Sequence, residues 1–127
     1  MNGYLLRSGD GVTDEDLAAK ATADRTGGAL GVLEAHVTAG AAPHIHKNED
    51  IAFYVLDGVM TVRCGDETWE VDRGCFIYLP RDICHSWDVN TISASLLIIS
   101  TPPGETDERA LAAPDAAGQE TSGIVWC

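Results

Sequence analysis

The sequence predicts an all-β domain in which antiparallel strands close into a β-barrel of the jelly-roll type. From about Gly27 to Thr101, short β-like segments alternate with glycine-containing turns, and hardly any window repeats apolar residues at helical spacing. Strands of this length and spacing would leave unpaired edges in an open sheet. We therefore expect them to close into a barrel or a two-sheet jelly roll.

Seven segments are predicted as strands, and turn signals separate several of them. Asp57-Gly58 favours a tight hairpin, and Gly65-Asp66 and Asp72-Arg73-Gly74 repeat the signal at close spacing. The pattern therefore predicts consecutive antiparallel hairpins. The predicted strands are 29–38, 51–56, 59–64, 68–71, 75–79, 85–89 and 93–101.

The chain of 127 residues has room for one domain, and we expect the barrel to occupy residues 27–104. Residues 1–26 are expected to form an N-terminal arm. In this arm Thr13-Asp14-Glu15-Asp16 starts either a short helix, with Thr13 as its N-cap, or a loop that leads to an edge strand near Leu17–Ala23. We favour the edge strand.

Residues 105–127 are predicted to form a C-terminal tail. After the turn Pro102-Pro103-Gly104 the chain becomes rich in Ala, Glu, Asp and Gly, which is typical of a poorly packed segment. Its end, Ile124-Val125-Trp126, is apolar again. We expect this end to dock either on the barrel or on a second subunit.

Charge and hydropathy exclude several classes of partner. Acidic residues number 20 against 8 basic ones, giving a formal charge of -12, so the field of the protein would repel nucleic acid and anionic lipid surfaces. The longest aliphatic run, Leu96–Ile99, is far shorter than a membrane span of about 20 residues. We therefore expect neither nucleic acid nor a membrane as a partner.

The N-terminus and the cysteines favour a cytoplasmic protein. The first residues lack a basic region followed by a long apolar run, so no secretory signal is predicted. The cysteines Cys64, Cys75, Cys84 and Cys127 show no Cys-x-x-Cys spacing. We expect all of them to be reduced, the first three as small buried hydrophobic residues and Cys127 as an incidental terminal thiol.

Two of the four histidines form Pro43-His44-Ile45-His46. On an extended strand residues i and i+2 point to the same side, so the two imidazoles share one face. His85 lies in a later β segment, directly after the turn Pro80–Cys84. Three converging imidazoles can hold a divalent metal with positions left open for water or substrate.

Two segments resemble the paired motifs of the cupin superfamily. The first runs from Gly40 through His44, His46 and Glu49-Asp50-Ile51 to Gly58, and the second runs from Gly74 through Pro80 to His85. The likeness covers about residues 26–104, and over this range the chain resembles small bacterial quercetin-dioxygenase-like cupins. This resemblance implies a β-barrel in which His44, His46 and His85 bind a divalent metal such as Fe, Ni, Mn or Zn.

The chain departs from the resemblance at the metal-binding glutamate of the first motif. Counting back from Gly58 places Ile51 at that position, and an isoleucine cannot bind a metal. Counting forward from His46 places Asp50 there, with Glu49 beside it, so a bulge would turn either acid inward. Asp50 and Glu49 are therefore the candidates for catalytic acids, although such an acidic pair more often lies in a solvated loop.

Alternation along the strands also predicts the wall of a substrate pocket. Phe53 shares the parity of Ile51, and Trp87 shares that of His85, so we expect both rings to face the interior, either in a cavity or as core filling. Tyr78 is ambiguous. His36, on the preceding strand, would face inward and complete a four-nitrogen site or remain outside.

The resemblance implies a metal-dependent enzyme that acts on a small, aromatic or polyketide-type molecule, with oxygen insertion as the first choice. A redox-neutral cyclase, isomerase or lyase is the alternative, and a non-catalytic ligand-binding cupin is the third. Because cupins often pair through edge strands, a homodimer is expected.

Overall fold

The structure is a computed structural model that describes residues 2–14, 16–103 and 123–127. It contains two antiparallel sheets and one short helix. In chain order the elements are β1 (Val12–Asp14), β2 (Leu17–Ala21), α1 (Ala23–Thr26), β3 (Gly31–Val37), β4 (Ala41–His46), β5 (Asp50–Asp57), β6 (Met60–Cys64), β7 (Glu67–Val71), β8 (Phe76–Leu79), β9 (His85–Val89), β10 (Ala94–Thr101) and β11 (Ile124–Trp126).

The predicted all-β fold class is confirmed, and the strands form a jelly roll. One sheet has the order β1-β2-β3-β10-β5-β8, and the other has the order β11-β4-β9-β6-β7. Sequence neighbours β5 and β6 lie in different sheets, so the chain crosses between the two layers at Asp57-Gly58 rather than making a hairpin there. The hairpin predicted at this turn is therefore wrong, and so is the one predicted at Asp72-Arg73-Gly74, where β7 and β8 also lie in different sheets. The hairpin at Gly65-Asp66 joins the paired strands β6 and β7.

Gly58 shows why the crossover between the sheets needs a glycine. Its φ is 90°, a left-handed conformation that residues with a Cβ rarely adopt. A Cβ at this position would also lie only 2.6 Å from the carbonyl oxygen of Ser93. Both the turn and the close approach of β10 therefore depend on the missing side chain.

The interior between the sheets follows the alternation of each strand. On β5, Phe53 and Val55 are buried while Tyr54 between them is exposed, and on β10 Leu96 and Ile98 are buried. β10 lies between β3 and β5; its pairing with β3 is continuous, and its pairing with β5 shifts register between Ser95 and Leu96. This central strand places the main apolar core opposite the sheet that carries the histidines.

The two ends of the chain differ in what could be predicted. A strand is present near Leu17–Ala23 as β2, but β1 pairs with its outer side, so the expectation that it forms the edge of the sheet is wrong. The chain then turns into α1, which Thr22 caps through its side chain. The tail predicted for residues 105–127 lies outside the described residues up to position 122, and its end forms β11 on the barrel. Across the described residues no helix has the length and hydropathy needed to cross a membrane.

Candidate metal centre

Strands β4 and β9 bring the three predicted histidines together. His44 lies directly opposite His85 in the antiparallel register, and His46 follows on the same face of β4. The ring centroids of His44 and His85 are 4.3 Å apart, and that of His46 is 5.1 Å from His44 and 5.2 Å from His85. One donor atom from each ring lies within 4.8 Å of the others, so the convergence expected from i, i+2 spacing is realised.

Hydrogen bonds orient two of these rings. Nδ1 of His44 lies 2.7 Å from the carbonyl oxygen of Ala42, which can only accept, so Nδ1 carries the proton. Nδ1 of His46 lies 2.8 Å from Oε1 of Glu49 and donates to that carboxylate. Both imidazoles are therefore held in the tautomer that presents Nε2 as the ligand atom.

This donor set fits a divalent transition metal. The three residues are at most 2% exposed, and neutral imidazoles are good ligands for zinc, iron and nickel. Ring nitrogens fixed by partners at Nδ1 are the usual arrangement of histidines that bind metals. The geometry thus provides a preformed three-nitrogen site without a carboxylate ligand among the clustered groups.

The two neighbouring acids Glu49 and Asp50 have different environments. Glu49 is 4% exposed and turns inward to His46, so the expectation of a solvated loop is wrong for this residue. Asp50 accepts from the backbone N–H of Arg81 at 2.9 Å and from its Nε at 3.2 Å. These bonds hold the pKa of the Asp50 carboxyl below its ordinary value of 3.8. Ile51 packs in the apolar core.

The turn before β9 carries His85 to its place beside β4. The backbone N–H of Asp82 donates to the carbonyl oxygen of His46 at 2.8 Å. Asp82 has a φ of 68°, which a glycine adopts easily and an aspartate tolerates better than most residues. Asp82 therefore adopts the left-handed backbone conformation of this turn.

Of the predicted pocket residues, Phe53 and Trp87 face the interior. Both are fully buried, and their rings meet edge to face with centroids 6.2 Å apart. Their contact with each other makes them part of the apolar core that surrounds the histidine-bearing strands. Strand alternation thus predicted the direction of both rings.

Tyr78 and His36 do not face the interior, so the assignment of both to the pocket wall is wrong. On β8 the buried positions are Ile77 and Leu79, which turns Tyr78 outward with 53% of its surface exposed. On β3 the buried residues Ala35 and Val37 flank His36, which lies outside and contacts Ser95 through Nδ1 at 3.2 Å. A four-nitrogen site with His36 is therefore excluded.

The C-terminal strand β11 lies beside the three histidines. The sequence left open whether this segment docks on the barrel or on a second subunit. It pairs with β4 so that Ile124 lies opposite His46 and Trp126 opposite His44. The Trp126 ring meets His44 edge to face, with centroids 6.0 Å apart. Docking on the barrel is thus the observed choice between the two expectations for this segment.

A disulfide between Cys84 and Cys127 fastens β11, so the expectation that all cysteines are reduced is wrong for these two. Their Cα atoms lie 6.3 Å apart although 43 positions separate them in sequence. Spacing rules did not reveal the pair because β11 was not predicted as a neighbour of β4. Cys64 and Cys75 remain thiols, and burial raises the pKa of Cys64.

A profile of the Cupin domain family matches residues 31–106, which include both histidine-bearing strands. The chain belongs to the cupin family. It is similar to uncharacterized protein SCO3923 from Streptomyces coelicolor, with 28% identity over 74 residues that span 58% of this chain and 68% of that protein.

Solved structures share the cupin fold at low sequence identity. KdgF from Halomonas sp. is 18% identical with a TM-score of 0.59 and covers 72% of this chain and 84% of its own. The nucleoside dehydratase Pac13 is 15% identical with a TM-score of 0.57 and covers 68% of each chain. A putative sugar phosphate isomerase from Acidithiobacillus ferrooxidans is 23% identical with a TM-score of 0.53 and covers 66% of this chain and 58% of its own.

Proposed function

We propose that this cupin is a metal-dependent enzyme that acts on a small organic molecule, with oxygen insertion into an aromatic or polyketide-type substrate as the first reaction to test. The observation that carries the proposal is the cluster of three buried imidazoles with donor atoms within 4.8 Å of one another. A purely structural core has little reason to bury three such polar rings together.

His44, His46 and His85 would hold the metal, and Fe, Ni, Mn and Zn are the candidates. When bound, such an ion supplies Lewis-acid stabilisation of negative charge on substrate oxygen and, if it is redox-active, access to oxygen chemistry. Ala42 and Glu49 hold the protons at Nδ1 of His44 and His46. Phe53 and Trp87 keep the surrounding interior apolar, which favours a flat apolar substrate over a sugar.

A redox-neutral cyclase, isomerase or lyase is the second candidate, and a specific observation favours it. The clustered metal-binding groups among the described residues include no acid, because Ile51 packs in the core and Asp50 is bound to Arg81. The ion would keep its full positive charge, which favours Lewis-acid chemistry. A nucleoside dehydratase and a putative sugar phosphate isomerase share this fold.

The experiment compares product formation from a panel of aromatic and polyketide-type compounds in air and under strict anaerobiosis, with the metal content measured on the same preparation. Oxygen insertion predicts oxygen consumption and no turnover without oxygen, whereas a cyclase or isomerase proceeds unchanged. His44→Ala should abolish either activity, and His36→Ala, on the outer face, should not. A non-catalytic ligand-binding cupin would give no product, and its ligand affinity would survive His44→Ala.

We also propose that the chain forms a homodimer through an edge strand. The edge strand β8 presents Phe76 and Tyr78 to solvent with 61% and 53% of their surface exposed. Apolar side chains on a sheet edge favour pairing with a second copy. Sedimentation equilibrium should give a dimer, and Phe76→Ser should shift it toward the monomer, whereas a wild-type monomer would contradict this proposal.

A further inference from the structure

Glu49 is a buried acid whose position beside the metal site the sequence motif does not explain. Its side chain is 5% exposed, and Oε1 lies 2.8 Å from Nδ1 of His46. We propose that Glu49 is a positioning residue that fixes the tautomer and ring orientation of His46 and strengthens metal binding through it. This inference rests on the proposed metal-binding function.

The loop that carries Glu49 is held at both ends. β4 ends at His46 and β5 begins at Asp50, so only three residues connect the strands. The N–H of Lys47 donates to the carbonyl oxygen of Gly123 at 2.8 Å, and Asp50 is bonded to Arg81. A short loop fixed in this way gives the Glu49 carboxylate a defined position at Nδ1 of the His46 ring.

The partners of His44 and His46 differ in charge. His44 donates to a backbone carbonyl, which is neutral, whereas His46 donates to a carboxylate. An anionic partner at Nδ1 makes Nε2 of the same ring a stronger metal ligand and fixes the direction in which Nε2 points. Because the three imidazoles themselves are neutral ligands, the Glu49 carboxylate supplies an anionic partner to the site through its hydrogen bond with His46.

The test is the affinity of the metal-free protein for Zn²⁺, measured by competition with a chromophoric chelator. Glu49→Ala should weaken binding about 10–100-fold, and Glu49→Gln, which keeps an acceptor oxygen but loses the charge, should recover part of the loss. Glu70→Ala is the matched control, since it removes the same side chain from an exposed position on β7, two strands away from β9. Its zinc affinity should equal that of the wild type.

A second readout does not depend on metal binding. Nitrogen-15 NMR of the metal-free protein should find the His46 proton on Nδ1 in the wild type and in Glu49→Gln, because both side chains offer an acceptor oxygen there. In Glu49→Ala this tautomer preference should be lost. Equal zinc affinities for Glu49→Ala and wild type would overturn the inference, and so would an unchanged His46 tautomer. Failure of the wild type to bind metal would instead overturn the proposed function.

An independent observation concerns β11 and the disulfide that fastens it. β11 forms only three paired positions with β4, yet Ile124 and Trp126 lie opposite the ligands His46 and His44. The strand is thus the outermost member of its sheet and covers the edge of the strand that carries two ligands. Gly123, with a φ of 85°, turns the chain into this position against Asn48.

The disulfide joins the end of β11 to the start of β9, which are the two neighbours of β4. We propose that Cys84–Cys127 is a redox-sensitive disulfide, and that its reduction releases β11 from β4 and opens the metal site to solvent. The reductant is a dithiol, which is itself oxidised to a disulfide. The two electrons and two protons that it loses convert the bond between Cys84 and Cys127 into two thiols. After that step β11 is held by noncovalent contacts, which include its three paired positions with β4, the Lys47–Gly123 hydrogen bond and the buried side chain of Ile124.

The experiment is hydrogen exchange of the metal-free protein, oxidised and treated with a phosphine reductant that does not compete for metals. The amides of β4 and Lys47 should exchange about tenfold faster, or more, after reduction, because the N–H of Lys47 bonds Gly123 at the start of β11. The amides of β5 and β10 should keep their rates, which shows that the fold is intact. Cys127→Ser should behave as the reduced protein without any reductant.

Cys75→Ser is the matched control, since Cys75 is a partly buried thiol outside the disulfide. This variant should respond to reduction as the wild type does. Zinc loaded beforehand should pass to a chelator faster from the reduced wild type and from Cys127→Ser. Identical β4 exchange in oxidised and reduced protein would overturn the proposal, and so would four titratable thiols in the unreduced, denatured chain.

Discussion

The two sheets enclose one interior but line it with different chemistry. In the sheet built around β5 and β10, every buried residue that the structure describes is apolar, with Phe53, Val55 and Leu96 at its centre. In the opposite sheet, β4 and β9 bury three histidines and Ser86. The first sheet therefore supplies most of the apolar core, whereas the second buries polar groups that could together hold a metal ion.

The largest effect is expected from breaking the apolar side of this comparison. Phe53→Ala removes a fully buried ring that packs against Trp87, and we expect the free energy of unfolding to fall by about 3–5 kcal/mol. Urea denaturation of the metal-free protein measures it. A loss below about 1 kcal/mol would mean that the β5 face is not the main core.

The disulfide tests how the histidine-bearing sheet is held at its edge. Cys127→Ser opens a cross-link between residues 43 positions apart, and we expect a loss of about 2–4 kcal/mol in unfolding free energy. Cys75→Ser should change stability far less, because that thiol makes no cross-link. Equal stability of the two variants in urea would contradict a formed Cys84–Cys127 bond.

Zinc binding tests the histidine-bearing sheet through its effect on the free energy of unfolding. Zinc at about 100 times its dissociation constant should raise the unfolding free energy of the wild type by about 2.7 kcal/mol, because it binds only the folded state. His44→Ala should gain nothing at the same concentration, whereas Phe53→Ala should still gain the full increment while it remains folded. Thermal denaturation with and without zinc makes the comparison. Zinc stabilisation of His44→Ala equal to that of the wild type would refute the site.

The smallest effect belongs to the acid that faces away from the site. Arg81 lowers the pKa of Asp50 in the folded protein, so the ionised carboxylate stabilises the fold above the ordinary value of 3.8. This contribution is lost as the pH falls through the folded-state pKa. Asp50→Asn should thus be slightly less stable than the wild type at neutral pH, and the difference should vanish in acid. The pair is partly exposed, which keeps the effect small.

Local periodicity predicted much of the fold and the core of the site. Alternation placed His44 with His46 and turned Phe53 and Trp87 inward, since side chains on a strand must alternate whatever the topology. The same rule, applied to β3 from its buried neighbours, puts His36 outside. The sequence alone did not show which of the two alternating sets of β3 residues faces the core.

Contacts between distant segments could not be predicted in the same way. The Cys84–Cys127 bond depends on β11 lying beside β4, and no local pattern encodes that pairing. Counting residues along the motif also could not show whether Glu49 or Asp50 turns inward, because the conformation of a three-residue loop decides it. Register and loop geometry are properties of the folded chain rather than of spacing in the sequence.

Calorimetric titration of the metal-free protein with Zn²⁺ tests the central claim most directly, with His85→Ala titrated alongside. The account predicts one zinc ion bound per wild-type chain and no comparable binding in the variant, because His85 supplies the third imidazole from β9. A wild-type chain that takes up no zinc, or a variant that binds it equally well, would contradict the claim that the three histidines form a metal site.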